Sequence, residues 1–320
     1  MFAKYIPKPG RREYITFLLL FIEIIVFGLL APHFLSERNI VRVIQNSAEI
    51  AIVSIGMTIV MLLGGIDLSV GSIMGVIAIV AGNMIQRGIN TFFVLIVSVL
   101  IGILLGLING LLVAKFNIPD MIVTLATMNI WRAVIFMLLG GRWLTGLSSD
   151  YAMITKAKIF GIPVLLLVIF LFYAIFYYIL MYRPFGRHIY AVGNNIQAAN
   201  LNGINIQKIK IASYCLTGGI VAISAMLYIA RMGSVEMTIG NDMAISCIAA
   251  VTIGGIGMKG SGKRGSVVGT LAGVMFIAFL RNGIVILGIP SLLENCFIGS
   301  LIILSVIFDK ISIEKRRLKQ

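Results

Sequence analysis

Charge is scarce in this chain: Asp, Glu, Lys and Arg make up only 12% of its 320 residues. A soluble domain carries about a quarter, so a water-exposed surface over most of the molecule is excluded. Histidine is nearly missing, with only His33 and His188 present. That rules out a histidine-rich metal site, and no metal is expected. Cys215, Cys247 and Cys296 are the only cysteines. They are odd in number, lack ligand spacing and fall in or near apolar runs, so they read as small core residues. The chain has no Gly-x-x-x-x-Gly-Lys-[Ser/Thr] loop and so is no motor of that kind. It also lacks a Gly-x-Ser-x-Gly turn and a zinc-type His/Glu pair, which leaves little basis for an intramembrane enzyme.

What the chain has is hydrocarbon. Hydrophobic residues make up 59%, and the mean hydropathy is +1.05. Runs of ~20 apolar residues recur, each long enough to cross ~30 Å of bilayer. They fall at 14–31, 47–63, 70–85, 91–114, 120–139, 160–182, 211–232, 243–256, 266–287 and 293–308, the eighth being short and followed by glycines. The expected fold is an all-α polytopic membrane protein of about ten crossings, both termini on one side. No linker divides it, so residues 1–320 read as one membrane domain.

The net charge of +14 comes from 26 basic and 12 acidic residues. Its placement flanks apolar runs and does not point to nucleic acid. One side would hold Lys4, Lys8, Arg11, Arg12, Lys115, Arg183, Arg187, Lys208, Lys210, Lys259, Lys263, Arg264, Lys310, Lys315, Arg316, Arg317 and Lys319. The other would hold only Arg38, Arg42, Arg87, Arg142, Lys156 and Lys158. The positive-inside rule then predicts cytoplasmic termini. The first run superficially resembles a signal peptide, but it is longer than the ~7–15 residues of such a core and reads as a retained helix.

One stretch breaks the hydrocarbon: Gly64-Gly65-Ile66-Asp67-Leu68-Ser69-Val70-Gly71-Ser72. Backbone freed from a helix inside a bilayer must find partners within protein or in a water-filled cavity. Asp67 has three readings here: a helix cap with Ser69, a group on a solute path, or an ion-coupling carboxylate. A second break at Gly254-Gly255-Ile256 hints at internal duplication, and paired interruptions point to a transport site. Gly64, Gly65, Gly71, Gly254 and Gly255 are the hinge candidates. Gly102, Gly106 and Gly110, like Gly269 and Gly273, have the spacing of close helix packing, with Asn109 and Asn282 as groups for a polar solute. Among the charges inside apolar runs, Arg231 is expected to snorkel, while Glu23, Glu49, Arg132 and Arg281 have no partner assignable from sequence. Phe172, Tyr173, Phe176, Tyr177, Tyr178 and Tyr182 read as an aromatic belt.

Residues 183–210 form the longest polar segment on the basic side. Asn194 or Asn195 can cap a short helix through Leu201, which Gly203 can end. A helix across the cytoplasmic face is what a soluble motor would push on; an ordinary interfacial loop is the alternative.

The Gly64–Ser72 signature resembles that of bacterial ATP-binding-cassette permeases for ribose, xylose, arabinose, rhamnose and autoinducer-2. Further stretches match in order: Asn109-Gly110-Leu111-Leu112-Val113, Ile122-Val123-Thr124-Leu125-Ala126-Thr127, Phe185-Gly186-Arg187, Gly193-Asn194-Asn195, Leu201-Asn202-Gly203-Ile204, Ile248-Ala249-Ala250, and Gly265 through Gly269-Thr270. The resemblance covers nearly the whole chain. It implies a non-catalytic importer subunit in the bacterial cytoplasmic membrane, with no cofactor of its own and ATP used by a partner ATPase. It also implies a second permease copy or paralogue and an extracytoplasmic binding protein. Arg187, Asn194, Asn195, Ala198, Ala199 and Gly203 would then contact the ATPase. The residues themselves make Asp67, Ser69, Asn109, Thr124 and Asn282 the candidates for the solute path. Residues 257–264 are more basic than the family's Gly/Ser-rich loop, and residues 140–147 are closer to the autoinducer-2 permeases. Autoinducer-2 is the expected solute, followed by rhamnose or a pentose. An ion-coupled secondary transporter using Asp67 or Glu23 is the alternative.

Overall fold

A computed structural model describes residues 11–147, 157–257, 265–290 and 293–317. Its helices are α1 (Arg11–Leu30), α2 (Glu37–Leu62), α3 (Val70–Gln86), α4 (Thr91–Ala114), α5 (Asp120–Leu139), α6 (Val164–Tyr182), α7 (Pro184–Asn194), α8 (Ile196–Leu201), α9 (Ile206–Met232), α10 (Met243–Ile253), α11 (Val267–Ile286) and α12 (Glu294–Arg317). Seven are long and apolar enough to cross a membrane; three apolar segments, Val70–Gln86, Met243–Ile253 and Glu294–Leu304, are shorter. All ten expected runs contain helix, but crossing length alone supports only seven of them.

α2 and α9 form the centre. Their membrane-length windows are 78% and 67% buried, against 17% for α1 and 22% for α5. α9 packs along α4 through the glycine ladder: a Cβ on Gly102 would strike Gly218 O, one on Gly106 would strike Tyr214 O, and one on Gly110 would crowd Ile211. Close backbone approach replaces the hydrophobic drive that lipid does not supply between helices. Gly269 and Gly273 play the same part on α11, against Gly254 and Ala250 of α10. Hydroxyls add interhelical bonds: Thr58 to Thr270 at 2.7 Å, Thr217 to Gly56 O at 3.2 Å and Ser224 to Glu49 O at 3.2 Å.

Two elements depart from the sequence reading. The sixth run starts with a hairpin, β1 (Lys158–Ile159) and β2 (Ile162–Pro163), before α6 begins at Val164. Phe160 and Gly161 both have positive φ, 50° and 80°, and a two-residue turn of that kind closes a hairpin. The loop expected at 183–195 is instead mostly α7, with Pro184 in its first turn, where a missing N–H costs nothing.

α10, at 11 residues, rises only about 16 Å. The non-helical segment 233–242 leads into it and is held by protein. Leu144 N donates to Val235 O at 3.0 Å and Val235 N to Leu144 O at 2.8 Å. Arg132 Nη1 donates to Met237 O at 3.2 Å and to Ile239 O at 2.8 Å. Gly240 lies against Gly71 so closely that neither position admits a Cβ.

Other expectations are corrected by the contacts. Arg231 does not snorkel: its Nε is 2.7 Å from Glu49 Oε1, and Glu49 is 3% exposed. Tyr173 and Phe176 are buried in the core, Tyr173 donating to Ala51 O at 3.0 Å, so only the outer part of the aromatic cluster is a belt. Of the cysteines, Cys247 is buried, Cys215 is half-buried and Cys296 is exposed; all three are free thiols. The basic loop from Met258 to Arg264 lies outside the described residues.

Candidate functional site

The first break is built from the end of α2. Gly64 has φ 86°, and Gly65 N donates back to Val60 O at 3.1 Å, so the last turn closes on a left-handed residue that glycine alone adopts without strain. The chain then runs extended, and its freed groups are taken up from α5. Ile66 N donates to Asp120 Oδ2 at 2.6 Å, and Thr124 Oγ1 donates to Ile66 O at 3.1 Å.

Asp67 turns the chain but does not cap α3. Its Oδ1 accepts from Ser69 N at 2.9 Å and from Ser69 Oγ at 2.6 Å, while Ser69, at the N-cap, makes no side-chain cap bond. This is the local side-chain turn that Asp favours. Asn109 Nδ2 of α4 donates to Ser69 Oγ at 2.8 Å, completing the chain Asn109–Ser69–Asp67. Asp67, Ser69, Asn109 and Thr124 are each no more than 1% exposed. Two polar atoms beside them, Asn109 Oδ1 and Tyr214 Oη, have no partner. Asp67, Ser69, Asn109 and Thr124 therefore gather at one site, and their hydrogen bonds are spent mainly on one another and on backbone.

Asn282 is not among them. It exchanges two bonds with Asn39, at 2.7 and 2.9 Å, and lines a separate cleft of about 270 Å³ between α2, α11 and α12. Sequence reasoning missed Asp120 and Tyr214 at the break, and Asn46 and Glu294 at the cleft; Arg281 was singled out only as a charge in need of a partner, which Ser246 and Glu294 supply. Asp120 carried one signal, an acid opening an apolar run behind Pro119.

The second break uses the same letters in another register. Here Gly255 is the left-handed residue, at φ 102°, and Ile256 N donates to Val251 O at 3.2 Å. Gly64 therefore corresponds to Gly255, not to Gly254, whose lack of a side chain serves contact with Gly269. Gly71 is likewise required for its approach to Gly240.

The 183–210 segment touches both breaks. Gly193 of α7 sits against Leu62 O at the end of α2, with no room for a Cβ. Tyr190 Oη donates to Gly265 O, just before α11, at 2.9 Å. Burial and the acidity of Glu13 nearby push the Tyr190 hydroxyl above its usual range, so it stays a donor. Asn195, not Asn194, caps α8, accepting from Ala198 N at 3.0 Å. Ala199 is buried, Gly203 ends the helix at φ 77°, and Arg187 Nη1 donates to Tyr182 O at 3.2 Å. Leu201, at 89% exposed, and Ile196, at 48%, project from α8 uncovered by this chain.

Comparison with known proteins agrees in length and kind. The chain is 36% identical over 298 residues to the ribose import permease protein of Haemophilus influenzae, covering 92% of each. It is 37% identical over 296 residues to that of Bacillus subtilis, 92% of this chain and 91% of the relative. It is 29% identical over 301 residues to the autoinducer 2 import system permease protein of Escherichia coli, 94% of this chain and 87% of the relative. No solved structure gives a match. Residues 39–306 match the family described as the branched-chain amino acid transport system / permease component, so the membrane helices, the glycine break and the absence of a motor belong to a permease component of that family, spanning the bacterial cytoplasmic membrane as a multi-pass, non-catalytic subunit.

Proposed function

We propose that this chain is the membrane subunit of an ATP-driven importer for a monosaccharide-sized sugar, and that α7 and α8 receive the stroke of a partner ATPase. One observation carries this reading: α7 contacts the chain beside both glycine breaks, through Gly193 at Leu62 and Tyr190 at Gly265. A push on the exposed α8 reaches both helix interruptions without crossing the bilayer. In this reading Arg187, Asn194, Asn195, Ala198 and Gly203 meet the ATPase from that exposed face, Ala199 seats α8 from its buried side, and Gly64, Gly65, Gly71, Gly254 and Gly255 are the points where the helices yield.

The topology proposed with it has about ten crossings, α3 and α10 completing theirs with flanking non-helical chain, in one domain over 1–320 with cytoplasmic termini. A second permease copy or paralogue completes the route, a binding protein delivers the solute outside, and ATP is bound by the partner and not by this chain. The higher identity to ribose permeases supports a pentose; autoinducer-2, the order drawn from residues 140–147, stands second, with rhamnose after it. The closed cluster of Asp67, Ser69, Asn109 and Thr124 is the inner part of the route.

The test is uptake in proteoliposomes holding the chain with its ATPase and binding protein. Uptake of one sugar that requires both ATP and the binding protein is expected. Uptake indifferent to ATP and abolished by an ionophore would replace this reading with ion coupling at Asp67 or Glu23.

A further inference from the structure

The cleft of about 270 Å³ lies between the first half of α2, the last half of α11 and the start of α12. All three open at the same end of the molecule, which is the outer end in the topology proposed above. One lining side chain is tied to a neighbouring ion pair: Asn46 Oδ1 accepts from Arg231 Nη1 at 3.3 Å, and Arg231 Nε of α9 holds Glu49 Oε1 at 2.7 Å. Asn46 is nine residues into α2, about 14 Å from its start at 1.5 Å per residue.

The walls are mixed. Val43, Ile50, Val274 and Ile277 form an apolar back, while Asn46, Ser47, Arg281, Asn282 and Glu294 present donors and acceptors. Arg281 and Glu294 cancel in charge but do not close on one another: Nε to Oε2 is 3.8 Å, and Nε has no acceptor. Arg281 Nη2 is held by Ser246 Oγ at 2.8 Å, which fixes the guanidinium in place.

Polarity and charge balance choose the occupant. Polar and charged groups left partly open at this depth would cost at least ~2.5 kcal/mol per charge against acyl chains, so the cleft faces water or a polar ligand and not lipid tails. Its charges cancel and its remaining groups are amides and a hydroxyl. A net ion entering would lose hydration without a counter-charge, whereas a neutral polyhydroxylated molecule finds both donors and acceptors. The volume lies just below the ~300–1,000 Å³ of sites for drug-sized ligands, which suits one monosaccharide. We infer that this cleft is an outer solute site of the permease, binding a neutral monosaccharide through Asn46, Arg281, Asn282 and Glu294 before it reaches the closed cluster at Asp67. The inference rests on the importer reading for its solute and its sidedness.

The test is cysteine protection in right-side-out vesicles holding the complete transporter. Ala278→Cys, at a lining position with no polar group to lose, is placed in a background with Cys215→Ser and Cys296→Ser, and a membrane-impermeant maleimide is added outside. D-ribose is the probe, with autoinducer-2 and L-rhamnose in parallel. With one of them at about ten times its half-saturating concentration, occupancy slows labelling about tenfold. The inference is supported by such protection from a sugar that the same vesicles import. Labelling that no imported sugar slows would overturn it while leaving ATP-driven uptake, and so the importer reading, intact. Labelling seen only after detergent solubilisation would also overturn it, since lipid or a second chain then covers the cleft. Loss of ATP-driven uptake for every sugar in the unmutated complex would instead sink the importer reading. Ile50→Cys, on the opposite wall, is scored in the same way should Ala278→Cys not reach the membrane.

Discussion

Gly193, one residue from the end of α7, lies against the carbonyl of Leu62, the last residue of α2, with no space for a side chain between them. Gly193→Ala must therefore push α7 away from the break. In reconstituted complexes we expect uptake to fall about tenfold or more, equivalent to ~1.4 kcal/mol in coupling, while ATP hydrolysis continues. Uptake equal to that of the unmutated protein would show that the contact transmits nothing.

The ion pair of Glu49 and Arg231 is buried on the Glu49 side and anchored by Asn46. Removing one partner leaves an uncompensated charge, a loss of about 3–5 kcal/mol. Arg231→Met is expected to lower the melting temperature sharply, and Glu49→Met with Arg231→Met to recover most of it. Equal losses in the single and double variants would mean that the pair is not what the site needs.

The ladder between α4 and α9 predicts a graded effect. A methyl at Gly102 or Gly106 meets backbone, which cannot yield as a side chain does, and overpacking of this kind costs about 1–3 kcal/mol. Gly219→Ala, on the facing helix α9 with only the Ile103 and Val99 side chains nearby, is the control. Thermal unfolding in detergent should rank Gly102→Ala and Gly106→Ala well below it.

One glycine from each break separates strain from contact. Gly64→Ala must hold φ 86°, a conformation that costs an L-residue about 1–2 kcal/mol. Gly254→Ala has ordinary φ but strikes Gly269 O. Asn, which tolerates the left-handed region, is expected to rescue position 64 and not position 254, as read from folded yield in membranes.

Much of this was legible in one dimension. Apolar runs announced the helices, Gly102, Gly106 and Gly110 announced a packing face, and the polar letters at 64–72 announced a break. What stayed hidden was whatever depends on distant chain. Glu49 and Arg231 are 182 residues apart in sequence, and Ile66 finds Asp120 across 54. A charge in a hydrophobic run says that it needs a partner and cannot say which. α7 was hidden because Pro184, Gly186 and Gly193 read as loop letters, although Pro184 opens the helix and the two glycines serve packing on Leu180 and Leu62. The Gly-Gly-Ile tripeptides show the same limit: identical letters place the left-handed residue first at 64 and second at 255, because only Gly254 must lie flat on Gly269.

Where Gly71 meets Gly240, the molecule has no side chains between two non-adjacent segments, only main chain on main chain. Such a joint has almost no compressible material in it. Segment 233–242 is also clamped to α5 through Arg132 and to residue 144 by a pair of backbone bonds. A displacement applied to that segment is thus delivered to the start of α3 as travel and not absorbed as repacking.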